Sequence, residues 1–401
     1  MTDRFRTSRG WLAALAAFLL LILIAGLAPF RAPKNQVEWV GNGGLHFRHY
    51  GSALSTTAFQ GFDADKDGLG TLEVWLKPDL ANDTHTILAF EGDGRSEPPF
   101  AIAQSETAFG VRRHNIDEHG VERIAVFRVP GVLHPQRPVF VTVVLKKNET
   151  WVYVDGSLIK KSPILGASTN NFTGRLVLAN SPALNDSWPG TILGVAVYRR
   201  DLPAEEVATH YANWKMGNPR LNLSEDGMAM YLFKEQHGTV AHNEVGNAGT
   251  LTIPPRYFVL HPPVLMAPWR PYRFGWPHWT YWEDIAVNIA GFVPFGFLLF
   301  AYLSPQNVSR PLIVAIGAGF LLSLTIESLQ GLLPTRDSDM TDVITNTLGT
   351  AVGALSYRIA VRHGLWPMFQ KKTIAPVVAT VSLPVSAASE EKRNSLVSEG
   401  S

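Results

Sequence analysis

The sequence predicts a mixed fold: an all-β sandwich set between an N-terminal membrane anchor helix and a C-terminal α-helical transmembrane bundle, four transmembrane helices in total. Three observations carry that prediction. Trp11 to Phe30 is an uncharged run of 20 residues; the middle of the chain holds short runs of β-branched and aromatic residues separated by turn formers; and three more apolar runs, Ile285 to Leu303, Pro311 to Leu333 and Val343 to Val361, follow close together. Composition agrees, because only 17% of the 401 residues are charged, below the roughly 25% usual for soluble domains. Lys and Arg (35) balance Asp and Glu (34), which argues against a general polyanion binder and gives no sign of nucleic acid as a partner. Without cysteine there is no disulfide framework, thiol nucleophile or zinc-thiolate site.

The organisation expected is a cytoplasmic N-terminus and anchor over 1–33, a sandwich over 34–253, a Pro- and aromatic-rich interfacial linker over 254–283, a three-helix membrane domain over 284–365 and a disordered cytoplasmic tail over 366–401. The first apolar run reaches about 30 Å as a helix, enough to cross a bilayer. A cleaved signal peptide is the competing reading. The run exceeds the roughly 7–15 residues of a signal core, and Pro29 follows the small-residue site Gly26 to Ala28, so a retained anchor is expected.

Between anchor and bundle, strands are expected at Thr71 to Lys77, Thr86 to Phe90, Ala108 to His114, Ile124 to Val129, Val139 to Lys146, Trp151 to Val154, Arg175 to Ala179 and Thr191 to Tyr198. Turns such as Glu91 to Gly94 and Lys147 to Thr150 separate them, and one helix is expected from Pro203 to Trp214. Ahead of the bundle stand Trp269, Tyr272, Phe274, Trp276, Trp279, Tyr281 and Trp282, a density that fits an interfacial belt, with a buried aromatic cluster as the alternative.

Basic residues set the orientation. Arg4, Arg6 and Arg9 precede the first span, Arg310 lies between the second and third, and Arg358, Arg362, Lys371 and Lys372 end the fourth. Four spans with the N-terminus inside place all of them in the cytoplasm and the sandwich outside.

The middle segment resembles a known fold. TLEVWLKPD (71–79), VTVVLKKNETWVYVDGSLI (141–159) and GTILGVAVYRRDLPAEEVATHY (190–211) look like successive strands of the concanavalin A-like, laminin G-type jelly roll, a likeness covering about 37–250. MAMYLFKEQHGTVAHNEVGN (228–247) resembles the strand that usually opens such domains, yet stands last, which implies a permuted domain or an added closing strand. The resemblance implies glycan or protein binding, or glycan hydrolysis. Hydrolysis needs a pair of carboxylates about 5–5.5 Å apart for retention, and Glu73 is alone in its strand. Trp151, Tyr153 and Trp188 are the candidates for stacking on a glycan, against a role in the core.

Asp63, Asp65 and Asp67 with Gly68 imitate the first half of a calcium loop, but Val74 stands where a bidentate Glu belongs. Ca2+ bound in a looser manner is one reading and a solvated acidic turn the other; no other cofactor is indicated. The histidines lack metal spacing, and no phosphate-cradling glycine loop is present.

The last 120 residues carry the sharpest pattern. Asp284 and Asn288 share a helical face continued by Gly291, Phe292 and Phe295; Glu327 and Gln330 share another; Arg336, Asp339 and Asp342 follow; and Asn346, Gly349 and Gly353 run down one side of the last span. In the orientation above, these groups lie at the outer ends of their helices and gather into one cavity beneath the sandwich. Glu327 sits roughly 9 Å inside its span, so it must be protonated, paired or open to a watery pocket, and Arg336 is its expected partner. Gly349-x-x-x-Gly353 allows a close helix approach.

DIAVNIAGFVPFGFLL (284–299) and IESLQGLLPTRDSDMTDVITNTLG (326–349) resemble the VanZ family, small multi-span bacterial proteins named after one associated with low-level resistance to the glycopeptide teicoplanin; the likeness covers about 282–361. It implies a cell-envelope protein of the bacterial cytoplasmic (inner) membrane and supplies no reaction. Two functional classes follow. One is a binding or envelope-modulating protein whose sandwich recognises a glycan or envelope polymer and whose pocket takes a polar headgroup or precursor. The other is an enzyme on a lipid-linked substrate, using Glu327 or Asp342 as acid or base and Arg336 to stabilise developing charge. A purely structural lock of the bundle by these residues is the third reading.

Overall fold

The structure, a computed structural model, describes residues 2–60, 69–92, 98–116, 122–163, 171–245, 249–269, 279–306 and 308–363. Asp63, Asp65 and Asp67, Tyr272, Phe274 and Trp276, and the tail from 366 onward lie outside the described residues, as do the side chains of Arg4, Arg6 and Trp279. Residues 1–357 form one compact unit.

Helix α1 (Thr2–Leu27) leads into sixteen strands: β1 (Val37–Trp39), β2 (Leu45–Phe47), β3 (Ala53–Ser55), β4 (Gly70–Pro78), β5 (Thr84–Phe90), β6 (Phe100–Ser105), β7 (Ala108–Ile116), β8 (Glu122–Val129), β9 (Val139–Lys146), β10 (Glu149–Val154), β11 (Ser157–Ser162), β12 (Leu176–Leu178), β13 (Gly190–Tyr198), β14 (Gly227–Tyr231), β15 (Val240–Ala241) and β16 (Leu251–Thr252). Helix α2 (Ala204–Lys215) separates β13 from β14, and α3 (Trp279–Leu303), α4 (Pro311–Gln330) and α5 (Met340–Arg362) follow β16. Each of the eight expected strands is present within a few residues, as is the helix after Pro203. The strands left unread, β6 and β11 among them, are short or carry little apolar alternation; β11 is Ser-Leu-Ile-Lys-Lys-Ser with five of its six residues exposed.

Two antiparallel sheets form the sandwich. One runs β1-β2-β13-β4-β9-β10-β11 and the other β15-β16-β3-β12-β5-β6-β7-β8. Side chains alternate across a strand, and β4 shows why both faces of the first sheet are apolar. Leu72, Val74 and Leu76 point into the core between the sheets, while Glu73 and Trp75 point outward and are covered by α2. Gly194 on β13 makes room for that cover, because a Cβ there would collide with the ring of Trp214.

The segment that resembles an opening strand closes the domain. Strand β14 pairs Val195 to Tyr198 of β13, beyond the stretch that β2 occupies on the same edge. Strand β16 then pairs β3 of the other sheet. One stretch of chain thus completes both sheets just before the chain turns into α3.

Among the described residues, three helices are long and apolar enough to cross a membrane: Arg9–Leu27, Tyr281–Gln306 and Pro311–Gln330. Helix α1 packs into the bundle, with Phe18, Leu19, Ile22 and Leu23 against Phe292, Phe295 and Ile326, and Trp11 edge-on to Tyr357. Helices α3 and α5 run side by side and parallel. A Cβ at Gly349 would strike the backbone of Ile289, one at Gly353 that of Val293, and one at Gly296 that of Thr350, so the glycines set this close approach.

Candidate functional site

Helix ends leave backbone groups without partners, and two of them organise the end of the bundle next to the sandwich. The last carbonyls of α1 form the negative end of a helix dipole. Arg336 covers them, with Nε and Nη2 on the Ala28 carbonyl at 3.2 and 2.8 Å and Nη2 on that of Ala25 at 3.1 Å. Gln330 Nε2 donates to the Gly26 carbonyl at 2.8 Å. At the start of α5 the polarity is reversed. Asp339 caps the helix, its Oδ1 accepting the Thr341 N–H at 2.7 Å, and its own N–H donates to Glu327 Oε2 at 3.0 Å.

The expected pairing of Glu327 with Arg336 is therefore not the one found. The cation is held by the carbonyl end of α1 and the acid by the amide end of α5, so each sits at the helix terminus of opposite sign. Adjacency in sequence suggested a pair; the chain fold supplied each group with a better-placed backbone partner.

The loop between α4 and α5 also carries the sandwich. Asn185 donates from its backbone to Asp337 Oδ1 at 3.2 Å and from Nδ2 to the Thr335 carbonyl at 3.1 Å, while the Tyr257 hydroxyl donates to Asn185 Oδ1 at 2.9 Å. Met266 exchanges backbone bonds with Ser338 and Met340, and Trp269 N–H reaches Thr341 Oγ1 at 2.9 Å. The linker is tied back to the sandwich by His261, whose Nε2 lies 2.5 Å from Glu91 Oε1. Glu91 in turn accepts from Nε and Nη2 of Arg175, each at 2.8 Å, and these bonds hold its carboxyl down to about 2 against the opposing effect of burial.

A cavity of about 1100 Å³ lies between sandwich and bundle. Asp284, Asn288, Glu327, Gln330, Arg336, Asp339, Asp342 and Asn346 all line it, from α3, α4, α5 and the α4–α5 loop. Asn346 Nδ2 donates to Ser323 Oγ at 2.9 Å, joining α5 to α4. The roof was not read from sequence. It includes Asp83, His85, Arg128, Asn185 and Asp186, which come from strand ends and a loop of the sandwich. The run of Asn, Ser and Asp over 180–187 marks a loop rich in backbone-bonding side chains, but nothing local to it names the surface on which it docks.

Of the three stacking candidates, Trp188 and Tyr153 take the core alternative. Trp188 is fully buried between the sheets, its Nε1 donating to Gln104 Oε1 at 2.6 Å. Tyr153 is buried under α2 with Phe140 and Tyr198, and its hydroxyl is pushed up by that burial. Trp151 is half-buried, with the ammonium of Lys161 3.8 Å from its ring centre. The facing sheet seals Trp188 and α2 seals Tyr153, turning the outer side of the first sheet into a second core layer against which Trp151 packs. Glu73 is likewise sealed there, at 0% exposure, facing His210 Nδ1 at 2.8 Å and accepting from Trp214 Nε1 at 3.2 Å and the Tyr198 hydroxyl at 3.3 Å. No group of three His, Asp or Glu with metal-holding geometry occurs among the described residues.

Residues 50–208 match the concanavalin A-like lectin/glucanases superfamily, and residues 228–361 match the VanZ/LLP1 family. The chain thus carries a laminin G-type sandwich and a VanZ-like region, and the second begins inside the sandwich at β14. Similar solved structures include a Bacteroides ovatus protein described as carbohydrate binding, at 16% identity and TM-score 0.34 over 51% of this chain and 60% of that one. They also include the CBM40 of a Ruminococcus gnavus IT-sialidase bound to α2,3 sialyllactose, at 14% identity and TM-score 0.31 over 42% of this chain and 95% of that one. A third is the heptameric SAP-like pentraxin of Limulus polyphemus, at 13% identity and TM-score 0.36 over 56% and 92%. At these identities the likeness concerns fold alone, and the chain spans 60% of the length of the first. No curated protein matches the chain.

Proposed function

We propose that this is an envelope protein of the bacterial cytoplasmic membrane that binds a polar group of a glycan, envelope polymer or lipid-linked precursor in the cavity between its two parts, and so modulates surface polysaccharide or glycopeptide susceptibility. The observation that carries the reading is that the eight polar residues of the helical region line a single cavity roofed by the sandwich. Polar groups at membrane depth are costly and concentrate where a bundle does its work. Helix α5 acts as a fourth span, its outer side presenting exposed Leu348, Val352 and Leu355. Arg9 opens the apolar stretch of α1 and Arg310 caps α4, both at the side of the bundle away from the cavity, which supports a cytoplasmic N-terminus and an extracytoplasmic sandwich.

Gly291 lines the cavity, and a Cβ there meets nothing within 4 Å, so Gly291→Trp fills the space without disturbing α3. The full chain in lipid nanodiscs, screened against arrayed bacterial surface glycans and wall precursors, is expected to bind a subset, and Gly291→Trp is expected to lose it. Binding that survives the filled cavity would move the site elsewhere.

A further inference from the structure

We propose that a second cavity, where the ends of α1 and α4 meet the segment after β16, holds the headgroup of an anionic phospholipid. This site shares no lining residue with the cavity described above, and needs only that α1 and α4 cross a membrane.

Two cross-strand neighbours set its charge. Lys34, in the stretch between α1 and β1, and Arg256, in the stretch after β16, face each other in an isolated antiparallel bridge. The flanking backbone bonds run from the Asn35 N–H to the Pro255 carbonyl at 3.2 Å and from the Tyr257 N–H to the Pro33 carbonyl at 3.0 Å. The bridge is therefore of the non-hydrogen-bonded kind, in which opposed side chains stand closest. Like charges directly opposite repel. Arg256 gives Nη1 to the Ala32 carbonyl at 2.8 Å, and among the described residues neither cation has a carboxylate partner. Both line a cavity of about 830 Å³ with no carboxylate among its described lining residues. An anion placed there turns one repulsion into two attractions.

The rest of the wall is chiefly apolar, with Pro254, Phe258, Val259, Pro262 and Leu332. Leu332, two residues past the end of α4, is 74% exposed, and Phe30, two residues before the lining Ala32, is 63% exposed. Gln330, the last residue of α4, donates to the carbonyl of Gly26 in the last turn of α1, so the two helix ends lie at one level. At that level apolar spans give way to headgroups. Bare leucine and phenylalanine side chains beside two cations match a molecule with a charged head and a hydrocarbon body. Free phosphate brings the charge and nothing for the apolar wall. A zwitterionic lipid brings a cation of its own to a site that already holds two. A lipid of net negative charge, such as phosphatidylglycerol, answers both features.

The full chain in neutral-detergent micelles can be titrated with phosphatidylglycerol and with phosphatidylcholine of the same acyl chains, bound lipid being counted by native mass spectrometry. The first phosphatidylglycerol is expected to bind at least about tenfold more tightly than phosphatidylcholine. Inorganic phosphate is expected not to displace it. The double variant Lys34→Gln/Arg256→Gln is expected to lose the preference. Lys215→Gln, at the end of α2, and Gly291→Trp, which fills the other cavity, are expected to keep it. If the double variant fails to fold, Lys34→Gln alone, at an exposed side chain, is expected to cut the preference by at least about threefold. Equal affinity for the two lipids, displacement by phosphate, a preference that survives these cation losses, or its loss in Lys215→Gln or Gly291→Trp overturns the inference. The outcome of the glycan and precursor screen is independent of all of these, so the two sites stand or fall separately.

Discussion

The guanidinium of Arg336 donates twice to the main-chain carbonyl of Ala28, 308 positions earlier in the chain, at 2.8 and 3.2 Å. The loop that forms one wall of the cavity is thereby fastened to the end of the first helix. A hydrogen bond to a charged group contributes about 1.5–3 kcal/mol, so Arg336→Leu is expected to lower stability by that amount. Arg336→Lys should lose less, since it keeps a charged donor at these carbonyls, yet still fall short of the wild type, since an ammonium cannot fork across two of them. Melting curves of the full chain in detergent measure both, and identical curves for all three proteins would contradict the fastening.

Glu91 gives an acid-dependent contribution of defined sign. Its carboxyl is held down from 4.5 to about 2, chiefly by the Arg175 side chain, so it stabilises the fold fully above pH 4.5 and loses that contribution as pH falls toward 2. In Glu91→Gln the melting temperature is expected to fall less steeply across that window, the two curves converging at its acid end. Parallel curves would show that Glu91 is not held down.

Burial of Glu73 makes it intolerant of truncation. Glu73→Ala leaves His210, Trp214 and Tyr198 facing an empty site, and breaking such a buried arrangement costs about 3–5 kcal/mol. Glu73→Gln keeps an acceptor and should cost clearly less. Thermal melts followed by tryptophan fluorescence report the difference, and an Ala variant as stable as the wild type would mean that α2 does not depend on this carboxylate.

Gly353 is expected to resist even one added methyl group. A Cβ there meets the Val293 carbonyl, and relief requires α3 and α5 to separate. Overpacking of this kind costs about 1–3 kcal/mol. Gly353→Ala should therefore melt earlier in detergent, whereas Gly317→Ala, where a Cβ meets nothing within 4 Å, should not. Equal effects at the two positions would remove the close packing from the account.

Much of this was legible in the sequence because it is local. Period-two runs such as Thr71 to Lys77 announce strands, and Asp284 with Asn288, or Glu327 with Gln330, show by spacing alone that they share a helical face. Partners were less legible. Arg336 and Glu327 were expected to pair, yet each found backbone at the end of a helix that only the tertiary fold brings near. Trp188 and Tyr153 were ambiguous for a related reason: an aromatic beside a sheet faces solvent or core according to what lies over it, and here the facing sheet covers Trp188 while α2, some fifty residues later in the chain, covers Tyr153. The roof of the cavity needed the docking of Asn185 on Thr335 and Asp337, a contact with no periodicity to betray it.

Strand β14 pairs with β13 of one sheet and β16 with β3 of the other, and both precede α3 in the chain. Severing the polypeptide after α2 would strip β13 and β3 of neighbours and expose raw hydrogen-bonding edges, which invite self-association. Keeping those strands while discarding the helices would orphan the loop around Asn185. A break at the point where one family match stops and the other starts therefore leaves both sheets of the sandwich unfinished.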